Sequence, residues 1–410
     1  MKILIIGSGG REHAIGWKLK QNPDVELYFA PGNGGTAEIG ENIDIGVDEI
    51  QKLANYAGER KIDITVVGPE LPLSLGVVDE FHRRGYKIFG PDAKAAKLES
   101  SKAYAKGFMK KHEIPTARYD MVSNLDEGLQ LLEKYSYPLV VKADGLAAGK
   151  GVLICANKDE AENALKDILE AGIFGAAGST VVIEEFLTGK EVSLLCFTDG
   201  ETIIPLETAS DYKRALDNDL GANTGGMGSI SPSPYYKPGL GDDIALKTLK
   251  GIKSEGFDYR GVIYIGLILT SDGPKVLEYN ARFGDPEIEA LLPRLETDLV
   301  EIIEAVINKR LSEVTLKWSD KKAVSVVMTS GGYPGAYKTG HPINLPQTYS
   351  TVFHAGTSII NKKLSTGGGR VLVVTALGKS FENARQLAYD DIKMITFQEC
   401  TYRSDIGLSI

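Results

Sequence analysis

From residue 1 to about 90, short apolar runs alternate with helix-spaced segments, and each run stops near glycine or proline. KILIIG ends in Gly7, and Ile15 and Leu19 then recur at the i,i+4 spacing of a helix face. ELYFA, DITVVGP and KIFGP are the next runs. Strands separated by helices pair in parallel, and the helices cover the sheet they form. Ligands of such sheets sit beyond the carboxyl ends of the strands. Those ends carry Gly7–Arg11, Pro31–Gly35 and Gly68–Glu70.

The pattern then changes. PDAKAAKLESS reads as a junction, with Ser100 or Ser101 capping a helix that starts at Lys102, carries Tyr104 and Phe108 on one face and ends before His112–Pro115. YPLVVKAD and VLICAN flank the glycine turn DGLAAGKG, a spacing that predicts a hairpin. A helix over Lys158–Ala171 and the strand TVVIEEFL follow, and EVSLLCF, GVIYIGLIL and PKVLEYN predict an antiparallel or mixed sheet. Leu295, Leu299, Ile302 and Val306 lie on one stripe of a helix predicted over 294–310. Beyond about 318, KAVSVVMTS, TVFHAG and RVLVVTAL read as strands and Ser380–Met394 as a helix. A length of 410 residues suits about three domains at ~150 residues each.

Charge excludes some functions. Lys plus Arg is 46 against 55 for Asp plus Glu, a net of −9, so no basic footprint for nucleic acid or an anionic membrane is expected. Cys155, Cys196 and Cys400 lie far apart, without zinc or disulfide spacing, which suits a reducing cytoplasm. The apolar start is too short for a signal peptide. The longest apolar run, near Val262–Leu269, is broken by Gly266 and is too short to span a bilayer. The 46 glycines, about 11% of the chain, exceed the ~7% average and cluster, as tight turns around ligands require.

Gly7-Ser8-Gly9-Gly10-Arg11-Glu12 follows a strand and opens a helix, so it is either a phosphate site with Arg11 adding charge or a plain tight turn. Glu12 stands where a dinucleotide motif needs its last glycine, and no ribose-binding acid follows the next strand. Gly145-Leu-Ala-Ala-Gly149-Lys150-Gly151 is one residue short of a P-loop and is flanked by strands, not by a following helix. Such a hairpin can still fold over phosphates, with Lys150 and backbone N–H groups as donors and Lys142 on the preceding strand. Glu184-Glu185-Phe186-Leu187 can read adenine edges, although spacing alone favours a solvated strand end. Glu278, Asn280 and Arg282 alternate on a strand and share a face. Two oxygen donors suit Mg²⁺ and the arginine suits an anion; an outward polar face is the other reading. Gly221-Ala-Asn223-Thr-Gly225-Gly-Met-Gly228 reads as a rigid loop rich in backbone donors, just after Asp211-Tyr212-Lys213-Arg214. No HExxH or GxSxG pattern appears.

Taken together and in order, GSGGREHA, VGPE, KADGLAAGKG, IEEF, NTGGMG and RFGDPE closely resemble the glycinamide ribonucleotide synthetase (phosphoribosylamine–glycine ligase) family of the ATP-grasp superfamily, from Met1 to about Ile406. The resemblance implies an α/β and α+β multidomain chain. Its parts are a pre-ATP-grasp parallel α/β domain (1–99), an ATP-grasp core (100–318) with a mobile lid over about 115–190, and a small C-terminal α+β domain (319–410). It implies ligation of glycine to 5-phosphoribosylamine with ATP, giving glycinamide ribonucleotide, ADP and phosphate in purine synthesis. Mg²⁺ or Mn²⁺ is the implied metal, bound by Glu278 and Asn280. Lys102, Lys142, Gly149 and Lys150 would meet the phosphates, Glu184, Glu185 and Leu187 the adenine, and Glu191 the ribose. Gly9, Gly68, Pro69, Glu70, Asp211, Lys213, Asn223, Gly225 and Arg282 would line the substrate site, with Arg282 and Lys142 catalytic. The implied partners are small molecules, with no nucleic acid or membrane, and a monomer suffices. Many relatives read Gln-Asp-His-Lys-Arg where this chain has Ser210-Asp211-Tyr212-Lys213-Arg214. Three rivals stand beside this reading: a nicotinamide-dependent oxidoreductase, opposed by Glu12; a silent nucleotide-binding subunit, opposed by the Glu278/Asn280/Arg282 face; and another carboxylate–amine ligase.

Overall fold

Four strands near the N-terminus are buried and mainly apolar through their centres because both faces of their sheet are covered. Lys2–Gly7 lies in parallel between Glu26–Pro31 and Ile64–Val67, and Ile64–Val67 pairs in parallel with Ile88–Pro91. Alternation along the first strand sends Ile3 and Ile5 into one core and Leu4 and Ile6 into another. The computed structural model describes residues 1–146 and 151–408; the phosphate donors expected at Gly149 and Lys150 lie outside the described residues.

The sheet does not stop at Pro91. Gly90 and Pro91 pair antiparallel with Arg260 and Tyr259 at the start of the long strand Tyr259–Thr270. That strand also pairs antiparallel with Lys190–Thr198 and with Gly273–Asn280, as the apolar runs predict. A second sheet, ordered Tyr119–Val122, Val181–Glu185, Leu139–Ala143 and Val152–Cys155, carries the helices Leu125–Leu132 and Lys158–Leu169 and has its own core. The predicted hairpin is present, with Leu139 opposite Cys155 and Lys142 opposite Val152. Ser101 caps the helix Lys102–Lys111 by accepting from Tyr104 N.

A third sheet centres on Lys322–Thr329 and Arg370–Gly378, with the helix Phe381–Ile392 against it. It recruits two strands from the middle of the chain, Gly228–Ser231 and Ser210–Asp211. The expected rigid loop is strand at both ends, where Leu220–Asn223 pairs back on Arg214–Leu216 and Gly228 opens a strand of this sheet, and irregular over 224–227 between them. The helix predicted over 294–310 also shrinks, to Leu299–Ile307. Asp298 caps it, while Arg294 is drawn to the carbonyls of Ser319 and Lys321 and to Ser231 Oγ, and Glu296 N donates to Lys317 O. The helix predicted to Ala171 ends at Leu169. Among the described residues no helix is long and apolar enough to cross a membrane.

The third sheet closes onto the first. His354 N donates to His13 Nδ1, and the Asn33 amide bridges His354 O and Ser8 O. The carboxyl ends of the N-terminal strands, the turn after Asn280 and the loop before Gly228 thereby converge.

Candidate active site

The strand Gly273–Asn280 carries an irregularity: Gly266 faces Glu278 and Leu267 faces Val276, which leaves Leu277 as the extra residue. Beyond it Tyr279 turns into a core, and Glu278 and Asn280 turn the other way. Arg282, just past the strand end, stays with them, its Nη2 reaching Asn280 Oδ1 at 3.3 Å. The expected shared face is there, but its arginine is not a free anion clamp. Arg282 pairs with Glu99 at 2.9 Å and Glu70 at 3.6 Å and donates to Phe283 O. Glu99 also accepts from Ala281 N, which fixes the turn after the strand. Burial pushes the Glu99 carboxyl up, with Arg282 the largest opposing influence.

Lysines approach from the neighbouring elements. Asp144, at the end of Leu139–Ala143, accepts from Ser101 Oγ and Ala103 N, so it seats the start of the helix Lys102–Lys111. Lys102 Nζ then reaches Gly145 O at 3.3 Å, at the start of the glycine turn. Lys142 pairs with Glu184 at 2.9 Å and points toward Leu277 O at 3.5 Å. Glu184 is nearly inaccessible and also pairs with Lys106 at 3.1 Å. Its side chain is therefore committed to two lysines. The Glu185 carboxylate is engaged as well, by Arg118 N, and Leu187 is half-buried beyond it. Glu191 pairs with Lys213 at 3.0 Å, and Lys213 lies 4.0 Å from Glu278. Partial burial alone would raise Glu278; Lys213, Lys142, Lys102 and Arg282 outweigh it and hold the carboxyl below its ordinary range. Burial pushes Lys102 down, while Glu191 and Glu278 hold Lys213 well above its usual value against burial.

A narrow cleft adjoins this face, lined by Glu191, Ser193, Asp211, Lys213, Tyr264 and Leu277 among others. Ser193 Oγ joins Tyr264 OH and Glu287, each at 2.9 Å. Burial and Glu287 raise Asp211 well above the usual carboxylate range, and its buried Oδ1 has no hydrogen-bond partner. Tyr212 points away, its hydroxyl accepting from Gly407 N beneath the Arg403 guanidinium. The departure from relatives at this residue is thus on the side opposite the cleft. Gly226, at φ +108°, threads between Pro286 and Asp211, where a Cβ would fall 2.4 Å and 2.9 Å from their side chains. Asn223 is held opposite Arg214, and Gly225 lies between Tyr333 OH and Arg370, which also binds Asp285 at 3.0 Å.

The N-terminal glycine turn is closed on itself. Gly9 N donates to Glu12 Oε2 at 2.5 Å, and Arg11 Nε donates to Glu12 Oε1 at 2.6 Å. The anion at this helix N-terminus is the chain's own Glu12, so Gly9 has no N–H to offer a ligand here. Arg11 also donates to Phe283 O, tying the turn to Arg282-Phe283-Gly284-Asp285. Pro69 precedes the short helix Glu70–Ser74, and Glu70 is held below its ordinary range by Arg282 and Arg11, against burial. At Gly68 a Cβ would lie 2.0 Å from Glu12 Oε1. We predict that Gly68→Ala destabilises the protein by about 1–3 kcal/mol, the usual cost of overpacking. An unchanged melting temperature would show that Glu12 can move aside.

Sequence reasoning missed Glu12, Glu99, Lys106 and Arg370. Glu12 was readable as the third residue of a capping box, and Lys106 as one turn beyond Lys102 on the same helix face. Glu99 and Arg370 carry no such signal, because their partners are distant in the chain.

Comparison with known proteins covers the whole chain. Models of the phosphoribosylglycinamide synthetase N domain, ATP-grasp (A) domain and C domain match residues 1–99, 100–288 and 323–409. A phosphoribosylamine–glycine ligase of Caldanaerobacter subterraneus subsp. tengcongensis is 50% identical over 414 aligned residues, covering 99% of each chain. The crystal structure of phosphoribosylamine–glycine ligase from Thermotoga maritima superposes with a TM-score of 0.89 at 37% identity, over 99% of this chain and 100% of that one. The biotin carboxylase domain of Hydrogenobacter thermophilus 2-oxoglutarate carboxylase shares the fold, with a TM-score of 0.76 at 14% identity over 98% of this chain and 91% of that one.

Proposed function

Because the chain belongs to the phosphoribosylglycinamide synthetase family, we infer that it is a carbon–nitrogen ligase that joins glycine to 5-phosphoribosylamine using ATP, in purine biosynthesis. The observation that carries this reading is the oxygen-donor face of Glu278 and Asn280, surrounded by Lys102, Lys142 and Lys213 beside a narrow cleft. We assign residues 1–99, 100–318 and 319–410 to three domains, with 115–190 as a lid over the nucleotide.

A metal fits the donors. Glu278 is held ionised and Asn280 offers an amide oxygen. Two hard oxygen donors suit Mg²⁺ or Mn²⁺, with phosphate and water as its other partners. When bound, such an ion neutralises phosphate charge. In this reading Lys102 and Lys142, with Gly149 and Lys150, orient the phosphates. Glu191 holds the ribose, and the main chain of Glu185–Leu187 meets the adenine. Asp211, Lys213, Asn223, Gly225 and the Gly68-Pro69-Glu70 corner frame glycine and the sugar phosphate, and Arg282 orients Asn280 while carrying positive charge at the reacting face. The substrates are small molecules, one chain supplies every group, and a cytoplasmic monomer acting without nucleic acid or membrane accords with this.

The chain offers no activated nucleophile among the groups described. Burial pushes the Cys155 thiol to about 11 and the Cys400 thiol to about 12, and raises Cys196 further. Burial holds His13 and His354 neutral, at about 3 and about 4. Direct attack is therefore the route we propose. A glycine carboxylate oxygen attacks the γ-phosphorus, and the bond to the ADP oxygen breaks. The phosphoribosylamine nitrogen then attacks the carbonyl carbon of glycyl phosphate and loses a proton, and phosphate leaves with the former carboxylate oxygen. Positioning and charge neutralisation suffice for such phosphoryl transfer. Glycine labelled with ¹⁸O in its carboxylate is expected to pass one labelled oxygen to phosphate in each turnover. Unlabelled phosphate during normal product formation, read by mass spectrometry, would overturn the route.

A further inference from the structure

Three charged side chains meet where the small four-stranded sheet joins the rest of the protein. Lys106 comes from the helix Lys102–Lys111, Glu184 from Val181–Glu185 and Lys142 from Leu139–Ala143. Glu184 gives one carboxylate oxygen to Lys142 at 2.9 Å and the other to Lys106 at 3.1 Å. The Lys106 and Glu184 side chains are each 2% exposed, so Lys106 cannot itself meet a ligand in this arrangement. Lys106 also donates to Thr116 Oγ1 at 2.7 Å, and that hydroxyl donates to Val276 O on the strand carrying Glu278. One buried ammonium thus links the strand of proposed metal ligands to the carboxylate that holds Lys142.

We propose that Lys106 is a positioning residue for nucleotide binding: it fixes Glu184, and through Glu184 sets the place and the effective charge of the Lys142 ammonium. This rests on the reading that Lys142 meets ATP phosphates. A carboxylate shared by two ammoniums leaves one net positive charge, whereas a carboxylate with Lys142 alone leaves none. Without Lys106, Glu184 would draw Lys142 into a closed pair and away from the phosphate. A buried carboxylate that loses one partner seeks compensation from the other. The groups facing Lys106 are Glu184 and Glu185 on one strand, Lys142 on the next, and the Tyr119 ring, 5.7 Å from its ammonium. Burial lowers Lys106 to about 8, with Lys142 adding to the fall and Glu184 and Glu185 opposing it. Bound phosphate favours the protonated form, so wild-type affinity for ATP should decline as pH rises through that region.

The test measures the Kd of Mg·ATP by calorimetry on the full-length protein between about pH 7 and 9.5, with turnover assayed in parallel. Lys106→Met is expected to weaken ATP binding on the order of 10- to 100-fold, the range of a lost charged hydrogen bond, with a smaller change in kcat. Lys106→Arg should keep most of the affinity and lose the alkaline decline, because arginine stays charged. Lys106→Met combined with Glu184→Gln should bind ATP no worse than Glu184→Gln alone. A Kd for Lys106→Met within about twofold of wild type at neutral pH would overturn the proposal. So would an alkaline decline that persists in Lys106→Arg, or effects of the two substitutions that multiply. If Lys106→Met does not fold, the arginine profile decides. Failure to form product with ATP binding intact would count against the ligase reading and leave the Lys106 result standing.

Discussion

Glu278→Gln should lower turnover at least ~100-fold, the lower scale for removing a well-placed electrostatic group, while circular dichroism stays that of the wild type. The substitution keeps the shape and removes one negative charge from a face crowded by Lys213, Lys142, Lys102 and Arg282. With that charge gone, the half-saturating concentration of Mg²⁺ or Mn²⁺ should rise, a readout separate from kcat. Stability should respond at neutral pH and not at low pH. Glu278 is held below its unfolded value, so its contribution is present above the ordinary carboxylate range and lost as pH falls through the lowered value. The variant should therefore melt below wild type at neutral pH and converge with it on acidification. Near-normal turnover at ordinary Mg²⁺ would remove Glu278 from the metal site.

Arg282→Met should cost both activity and stability. Arg282 joins Glu99 at 2.9 Å, Glu70 at 3.6 Å and Asn280 at 3.3 Å, and its side chain is 18% exposed. Glu99 is buried and has Arg282 as its cationic partner. Breaking such a buried pair from one side costs about 3–5 kcal/mol, because the remaining charge stays buried without compensation. Turnover should fall at least ~100-fold, since Asn280 loses its orienting donor and the reacting face loses a positive charge. The pH dependence has a definite sign. Burial already raises Glu99 above its unfolded value, and without Arg282 it rises further. A carboxyl raised on folding favours the folded state when protonated. Its contribution is full below the unfolded value and lost as pH rises through the folded one. The variant should therefore be closer to wild type in stability at pH ~5 than at pH ~8, and adding Glu99→Gln should restore melting at pH ~8. Equal losses at both pH values, or no rescue by Glu99→Gln, would mean that Glu99 is not the stranded charge.

Much of this was legible before any coordinates. The Glu278/Asn280/Arg282 face followed from strand alternation, and the structure keeps it even though the strand ends at Asn280. Ser101 was readable as a cap, and it is one. Asp211 and Lys213, neighbours in the segment before the loop, both line the cleft. Residue order is silent on occupancy. Gly9, Glu184 and Arg282 are each engaged by another part of the chain, Glu12, Lys106 with Lys142, and Glu99 with Glu70. A motif shows which chemistry a side chain offers, not which neighbour takes it first.

The division has a physical cause. Strand and helix identity, hairpins, caps and shared faces depend on residues within one turn or one hairpin of each other, and that information lies in adjacent letters of the chain. Hence the parallel sheet, the Leu139–Cys155 hairpin and the oxygen-donor face could be read from residue order alone. Pairing across the chain could not. That Gly228–Ser231 joins the sheet of Lys322–Thr329, that Arg370 reaches Gly225 and Asp285, and that Lys106 and Lys142 share Glu184 are outcomes of packing. Each settles where a buried charge or an unpaired strand edge finds its partner. In a low-dielectric interior that choice is governed by which groups the whole fold brings within a few ångströms, not by their separation along the chain.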